Sequence, residues 1–308
     1  MITVICPRCK QQYSIDEHKI PANAKMGRCK SCGDRFPLNF VNKQGNATEN
    51  AVLETPRETR VIAVSLSKGG VGKTTTSVNL AAGLALAGKK VLLVDTDTQG
   101  QASYMLGLKP KAGLTELVTN EVTPEEAIVK ARERLWVLAG GRSLAGIKRF
   151  TDRKDFGGER TLSEALTPLE KDYDYIIIDT APGWDVLTVN VLFYAKEILV
   201  PISLEIMSIQ GLSEFMKSIA AIQKYHEVKL RYMVPTFHDK RIRKSTEILD
   251  KLCQLYPDYM CDPIRNNIRL MEAPATGQLI YEFAPGSPGT HDYRDLVRKI
   301  ENNDNLFR

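Results

Sequence analysis

The sequence predicts an α/β fold, a doubly wound and mostly parallel sheet, with a small separate domain ahead of it. Two observations support this prediction. From residue 60 onward, apolar runs typical of buried strands alternate with helical patterns. Ahead of them, the first 40 residues contain two C-x-x-C pairs. We therefore expect a small cysteine domain over residues 1–38, a flexible linker over 39–59 that is rich in Asn, Glu, Thr and Lys, and a large domain over 60–308.

The first large-domain element is a glycine-rich loop that follows the apolar run Val61–Leu66 and fits the pattern G-x-x-x-x-G-K-[ST], with Ser67 at the first glycine. Its glycines permit a tight turn with exposed backbone N–H groups, and a helix predicted to begin at Lys73 turns its positive end toward a bound phosphate. An ordinary glycine-rich turn is the alternative. The expected nucleotide-binding residues are Lys68, Gly69, Gly70, Val71, Gly72, Lys73, Thr74 and Thr75.

Two of the later predicted strands end in carboxylates. The run Val91–Val94 leads to Asp95 and then Asp97, and three isoleucines precede Asp179. Ligands bind at the carboxyl edge of a doubly wound sheet, so we expect these groups beside the phosphates. Asp179 and the Thr74 hydroxyl are predicted to hold Mg²⁺. Asp95 either supports the magnesium shell or caps a helix, and the sequence does not separate these two interpretations.

Lys68 adds a second lysine to the loop, and the segment KGGVGKTT resembles the deviant Walker A motif of the ParA/MinD family of SIMIBI-class ATPases. DTDTQG at Asp95–Gly100 resembles the family's D-x-D-P-Q-G, with Thr98 where proline is usual. The resemblance covers most of residues 60–300. It implies ATP hydrolysis with Mg²⁺ by an ATP-dependent homodimer, with Lys68, Lys73 and Asp97 as catalytic residues. Lys68 would reach the partner's phosphates and Asp97 would orient the attacking water, although a solvated loop lysine is the alternative for Lys68.

A basic segment, His238–Lys244, is expected to open a helix that continues through Leu252. The resemblance to ParA proteins places DNA-contacting arginines at Arg241 and Arg269, and Lys240 and Arg243 complete the predicted DNA-binding set. Phosphate contacts of this kind bind DNA without reading its sequence. The formal net charge is only +5, and basic clusters are common on protein surfaces, so a solvated charged face is the alternative.

The cysteine pairs Cys6/Cys9 and Cys29/Cys32 have the spacing of a four-cysteine zinc ribbon, with Tyr13 among the residues expected to form its small apolar core. Such a short segment buries too little surface to fold alone, so bound Zn²⁺ would stabilise it. Two disulfides are the rival interpretation. We recognise no signal peptide and therefore expect a reducing cytosol, which disfavours them. The ribbon's role is open between nucleic-acid binding, protein docking and structure alone.

These features together predict a ParA-like ATPase that binds nonspecific DNA, positions a plasmid, a chromosome or a protein assembly, and is released when a partner stimulates hydrolysis. We expect an unidentified activating or adaptor protein and a cytoplasmic, nucleoid-associated location. We expect no stable membrane insertion, because no apolar run is long enough and the tail from Asp292 reads as a core-docking helix. The alternatives are a metallocofactor-maturation ATPase and an ATP-switched DNA-binding regulator.

Overall fold

The computed structural model describes residues 2–6, 8–9, 11–15, 26–37, 58–154 and 156–307. The predicted linker over 39–59 lies outside the described residues except for its last two positions. Contacts divide the chain into two units, Met1–Thr55 and Pro56–Arg308, and each unit is described by itself.

The strands of the first unit are β1 (Ile2–Ile5), β2 (Gln12–Ile15), β3 (Met26–Arg28) and β4 (Arg35–Pro37). Those of the second unit are β5 (Arg60–Val64), β6 (Val91–Asp95), β7 (Ile128–Arg132), β8 (Leu135–Leu138), β9 (Tyr175–Asp179), β10 (Glu197–Ser203) and β11 (Lys229–Thr236).

The helices are α1 (Lys73–Leu86), α2 (Gln101–Met105), α3 (Leu114–Val118), α4 (Pro124–Ala127), α5 (Leu144–Asp152), α6 (Thr161–Leu166), α7 (Val186–Tyr194), α8 (Ile206–Ile222), α9 (Arg243–Leu255), α10 (Ile268–Glu272), α11 (Ile280–Phe283) and α12 (Pro288–Glu301). Short 3₁₀ helices cover Gly158–Arg160, Thr167–Asp172 and Ala273–Thr276.

The large unit is built on a seven-stranded sheet with the order β11-β10-β5-β9-β6-β8-β7. Neighbouring strands are parallel except for β7, which pairs antiparallel with β8 at one edge. The central strands β6 and β9 are buried along their whole length because helices cover both faces. The predicted doubly wound α/β fold is confirmed, while the antiparallel edge strand β7 is an addition that the sequence did not reveal.

Successive residues of β9 pack into different halves of the core. Ile176 and Ile178 face a cluster formed with α5 to α9, whereas Tyr175 and Ile177 face a second cluster formed with α1, α11 and α12. The last helix, α12, buries Leu296, Val297 and Ile300 in that second cluster, as expected of a core-docking helix. Among the described residues, no helix has both the length and the hydropathy needed to cross a membrane.

The small unit contains two antiparallel strand pairs, β1 with β2 and β3 with β4. Each C-x-x-C pair lies in the turn between the strands of one hairpin. The Cys6 amide donates to the Gln11 carbonyl at 2.9 Å, and the Cys29 amide donates to the Asp34 carbonyl at 2.8 Å. These bonds close the two turns around the cysteine side chains, so that one hairpin presents each pair.

Candidate active site and zinc centre

The glycine-rich loop connects β5 to α1 and leaves the first turn of α1 open. Gly70 and Gly72 have φ values of +72° and +85°, a conformation that residues with a side chain rarely adopt. Gly72 is the N-cap of α1, and no side chain accepts hydrogen bonds from the first turn. The backbone N–H groups at this helix end are therefore available to an anion, and the helix dipole favours one.

The ends of two other strands fix the loop in position. The Gly183 amide, four residues beyond β9, donates to the Ser67 carbonyl at 2.8 Å. The Thr236 hydroxyl, at the end of β11, donates to the Val71 carbonyl at 2.9 Å. Both sides of the loop are thus tied to neighbouring strands, so the cradle is largely preformed before any phosphate arrives.

Lys73 is buried at the start of α1, with 6% of its surface exposed. Its Nζ donates to the Lys68 carbonyl at 2.7 Å, so the ammonium group bonds back to the start of the glycine-rich loop. Burial lowers the pKa of Lys73, while the nearby carboxylates of Asp179 and Asp97 act in the opposite direction. A phosphate placed in this loop would give the ammonium the charge partner that burial demands.

Asp179 ends β9 directly beneath the loop and is completely buried. Its Oδ1 accepts a hydrogen bond from the Ser77 hydroxyl at 2.8 Å, whereas its Oδ2 is buried without a partner. Burial raises the pKa of Asp179 to about 6, although the hydroxyl groups of Thr74 and Ser77 oppose that shift. A buried carboxylate oxygen without a hydrogen-bond donor fits the hydrated Mg²⁺ of a P-loop site, and Thr74 supplies the neighbouring hydroxyl.

Asp95 lies beside Asp179 in the parallel register of β6 and β9 and is also completely buried. Burial and then the charge of Asp179 raise its pKa. Its Oδ1 accepts from the Asp97 amide at 2.8 Å and its Oδ2 from the Ala102 amide at 3.2 Å, in the first turn of α2. These contacts match the helix-capping interpretation of Asp95, whose place in a magnesium shell stays a prediction.

Asp97 is the more accessible of the three carboxylates. Its Oδ1 accepts only the Gln99 amide, at 2.9 Å, within the loop that it begins. The carbonyl of Asp97 is packed against Gly140, where an added Cβ would lie 2.9 Å from it and 2.6 Å from the Asp95 carbonyl. The loop bearing Asp97 therefore follows a path that a glycine at position 140 permits.

Lys68 points along the surface toward the start of α8. Its Nζ lies 3.0 Å from the Ser208 hydroxyl and 3.3 Å from Glu205 Oε2. The side chain of Lys68 is 27% exposed and that of Glu205 is 68% exposed, so this is a surface ion pair of small net stability. Within one chain, the second loop lysine is thus held by α8 and not by its own phosphate cradle.

The four cysteines of the small unit come together as the spacing predicts. Their Sγ atoms all lie within 4.8 Å of one another, with Cys6 to Cys32 at 3.6 Å and Cys9 to Cys29 at 3.5 Å. Four ligands at the usual Zn–S distance of about 2.3 Å in a tetrahedron are about 3.8 Å apart, whereas a disulfide requires about 2 Å. The arrangement fits one Zn²⁺.

Cys29 differs from the other three thiols in its environment. Cys29 is buried, as Cys6 is, but of the four cysteines it is the one with a hydroxyl group nearby among the described residues: that of Tyr13, 3.2 Å from its Sγ. That hydrogen bond, together with backbone amides of the same turn, lowers the pKa of Cys29 to about 6. A thiol that ionises readily is suited to a metal, which binds the thiolate.

The four predicted DNA-binding residues are exposed and lie in two neighbouring segments, one that follows β11 and one at α10. The predicted helix is confirmed as α9, but it begins at Arg243, inside the basic segment, and not at the first residues of that segment. Asp239 explains the difference, because its Oδ1 accepts the Arg241 amide at 3.0 Å and stabilises a turn. Arg241 pairs with Asp239, Arg243 with Glu247 and Arg269 with Glu272, and Lys240 is in the same turn.

Comparison with known proteins places both units in families. A family model described as an AAA domain, of the ParA/MinD type, matches residues 59–232, which is more than half of the chain. The chain belongs to the ParA/MinD family of P-loop ATPases. A model described as a zinc-ribbon domain matches residues 1–37, the part that holds the four cysteines.

The relatives of this ParA/MinD-family chain include partition proteins. It is 34% identical over 252 residues to the sporulation initiation inhibitor protein Soj of Bacillus subtilis, covering 79% of this chain and 99% of that protein. It is also 34% identical to the chromosome-partitioning ATPase Soj of Thermus thermophilus, covering 78% and 95%. This chain therefore matches nearly the whole length of each relative.

Solved structures agree with the family assignment. The cobyrinic acid a,c-diamide synthase of Mycobacterium smegmatis, with a bound ATP analogue and magnesium, is similar at a TM-score of 0.67 and 31% identity over 79% of this chain and 96% of that one. An ATP complex of Cyanothece McdA reaches a TM-score of 0.73 at 21% identity, over 82% of this chain and 99% of that one, and shows likeness of fold.

Sequence reasoning did not find three residues that shape these sites in this ParA/MinD-family protein. Glu205 and Ser208 hold Lys68 from 137 and 140 positions away, and Gly140 makes room for the loop of Asp97. Glu205 and Ser208 lie just after an apolar run, as Asp95 and Asp179 do, and that position is the one signal that could have marked them.

Proposed function

We propose that this ParA-like ATPase dimerises when it binds ATP and Mg²⁺, and that it positions a cargo by binding nonspecific DNA in that state. Hydrolysis stimulated by an activating or adaptor protein then releases it. The single observation that carries the proposal is the grouping of Lys73, Asp97 and the unpartnered oxygen of Asp179 around an open phosphate loop. The relatives named as partition proteins favour cargo positioning over the other uses of this fold.

Each residue around the phosphate loop has a separate role in hydrolysis. The amides from Gly69 to Thr75 bind the phosphates, and Lys73 exchanges its bond to the Lys68 carbonyl for one to a phosphate oxygen. Thr74 and Asp179 would hold Mg²⁺, which would neutralise charge that develops on the transferred phosphoryl group. Asp97, the accessible carboxylate, orients the attacking water, and Asp95 positions Asp97 through its bond to the Asp97 amide.

Dimerisation is supported by the surface around Lys68. Four large apolar side chains are exposed on the segments that adjoin this lysine, at 39% to 62% of their surface: Trp184, Val186, Ile206 and Met207. Exposed apolar groups of this size beside a charged site are typical of a surface that another protein covers. In a dimer across this face, Lys68 would leave Glu205 and Ser208 and reach the phosphates bound by the partner subunit.

The test is the oligomeric state of single-residue variants, measured by light scattering with ATP and with ADP. We expect Lys68→Ala to bind ATP but to stay monomeric and fail to hydrolyse it, while Asp97→Ala accumulates as an ATP-bound dimer. Lys130→Ala, at an exposed lysine of the edge strand β7, is the matched control and should behave as the wild type does. A normal dimer with normal turnover in Lys68→Ala would remove this lysine from the mechanism.

DNA binding belongs to the same proposal. Lys240, Arg241, Arg243 and Arg269 lie on neighbouring segments, and the acidic partners of the three arginines are carboxylates that a DNA phosphate can replace. A protein of this kind would be cytoplasmic and associated with the nucleoid. The zinc ribbon, a separate unit of the chain, offers a place for the adaptor protein to bind, and its four cysteines hold the Zn²⁺ that stabilises it.

A further inference from the structure

Tyr13 makes two polar contacts inside the zinc ribbon that the ligand set does not explain. Its hydroxyl oxygen lies 3.0 Å from the Ser31 amide nitrogen and 3.2 Å from Cys29 Sγ. The ring is half-buried against the cysteines. Tyr13 belongs to β2, in the first hairpin, whereas Ser31 and Cys29 belong to the turn of the second hairpin. The hydroxyl therefore joins the two halves of the ribbon.

The direction of these hydrogen bonds follows from the atoms present. An amide N–H can only donate, so the tyrosine oxygen accepts from Ser31. The hydroxyl then has its one hydrogen left to donate, and the Cys29 sulfur is the second polar atom within reach. A zinc-bound cysteine is a thiolate with no hydrogen of its own, so it can only accept. The Ser31 amide thus orients the tyrosine as a donor to the ligand.

We propose that Tyr13 is a positioning residue of the zinc centre, whose hydroxyl donates a hydrogen bond to the Cys29 thiolate and makes the site retain its metal. The hydrogen bond withdraws negative charge from one of four thiolates that crowd around a single ion. It also fixes the side chain of that ligand by linking the two hairpins, which form separate two-stranded sheets. Among the described residues, Cys29 is the one ligand cysteine whose sulfur lies within hydrogen-bonding distance of a hydroxyl group.

This inference rests on the zinc-ribbon assignment and is independent of the proposed DNA-binding function. A centre that holds its zinc through a hydrogen-bonded, buried thiolate is suited to structure, because charge withdrawal makes the sulfur less reactive toward acids and electrophiles. A centre that passes metal to a client protein needs ligands that exchange easily. The contact therefore favours a structural role for the ribbon over the metal-carrying role that a cofactor-maturation ATPase would need.

The experiment uses the full-length protein carrying Co²⁺ or Zn²⁺ and the variant Tyr13→Phe, which keeps the ring and removes the hydroxyl. Without the hydrogen bond the thiolate holds its electrons less tightly, so the sulfur-to-cobalt charge-transfer band should move to lower energy. Release of zinc to a chelating dye should become about 10-fold faster, the lower end of the effect expected from a lost outer contact. Ser31→Ala is the matched control, since it keeps the backbone amide and should match the wild type.

A second variant covers the case in which Tyr13→Phe does not assemble a metal site. Replacing Tyr13 by difluorotyrosine keeps the shape of the side chain and makes the hydroxyl a stronger donor. The charge-transfer band should then move to higher energy, and zinc release should slow. An unchanged band in this variant, or wild-type band and release rate in Tyr13→Phe, would overturn the proposal.

Discussion

The salt dependence of DNA binding tests the four basic residues quantitatively. Each phosphate that a protein neutralises contributes about −0.9 to the slope of log affinity against log salt. Lys240, Arg241, Arg243 and Arg269 of one chain would give a slope of about −3.6, and the two aligned sets of an ATP dimer would give about −7. Between about 50 and about 200 mM salt, affinity should fall about 10²-fold for a monomer and about 10⁴-fold for a dimer.

A single substitution should change this slope in proportion to the number of phosphate contacts that it removes. Arg269→Ala removes one contact from each chain, so the slope of the dimer should become less steep by about 1.8, equally on every DNA sequence. Asp239→Asn should instead raise the affinity for DNA, because it removes the carboxylate that pairs with Arg241. Arg241 is 89% exposed and pairs with Asp239 at 2.7 Å, a surface ion pair of small net stability. Freeing Arg241 should therefore strengthen binding modestly, and equally on every DNA sequence.

The assay is fluorescence anisotropy on two unrelated duplexes at several salt concentrations, with ATP and with ADP, in the Asp97→Ala background to prevent turnover. Lys130→Ala, at an exposed position of the edge strand β7, removes one positive charge as the arginine variants do and controls for the change of net charge. The reasoning fails if the ATP-bound protein binds neither duplex, or if Arg241→Ala and Arg269→Ala keep the wild-type slope. The basic residues would then be a solvated face, and DNA would not be the surface on which this ATPase works.

Two further predictions concern the loop and the core. Lys73→Ala removes the buried ammonium that would bond to two phosphate groups of ATP, and it should lower ATP affinity at least about 100-fold by titration calorimetry, because two charged hydrogen bonds contribute about 1.5–3 kcal/mol each. An unchanged affinity would contradict the phosphate-loop assignment. Gly83→Ala should lower the free energy of unfolding by about 1–3 kcal/mol in urea, because an added Cβ lies 2.4 Å from Tyr281 Oη and 2.7 Å from Val297 Cγ2. Gly286→Ala, with open space around its added Cβ, is the control, and equal stability of the two variants would refute the packing argument.

Short-range patterns made much of this site predictable. The phosphate loop is one continuous segment whose glycines and lysine have fixed roles, so its geometry follows from local sequence. Asp179 was predictable because a carboxylate that ends an apolar run must lie at the carboxyl edge of a parallel sheet. The zinc ligands were predictable for a similar reason, since two C-x-x-C turns at this spacing have few other uses.

Contacts between distant segments were not predictable from the sequence. Lys68 meets Glu205 only because β10 lies next to β5 in the sheet, and strand order is not written in the pattern of apolar residues. The first residue of α9 could not be located within the basic segment because the turn made by Asp239 competes with helix formation, and helical periodicity does not register that competition. Tyr13 was expected in the ribbon core, but the orientation of its hydroxyl depends on how the two hairpins meet.

The hydrogen bond from Thr236 to the Val71 carbonyl joins the phosphate loop to the last residue of β11, and the chain reaches Lys240 and Arg241 four and five residues later. Any remaining shift of this largely preformed loop when a nucleotide binds would be transmitted to the turn at Asp239, which follows Thr236 by only three residues. Thermodynamic linkage makes any such coupling reciprocal: whatever factor ATP adds to the affinity for DNA, DNA must add to the affinity for ATP. DNA would then act as an effector of the ATPase, because its presence would lower the ATP concentration at which half of the protein has ATP bound.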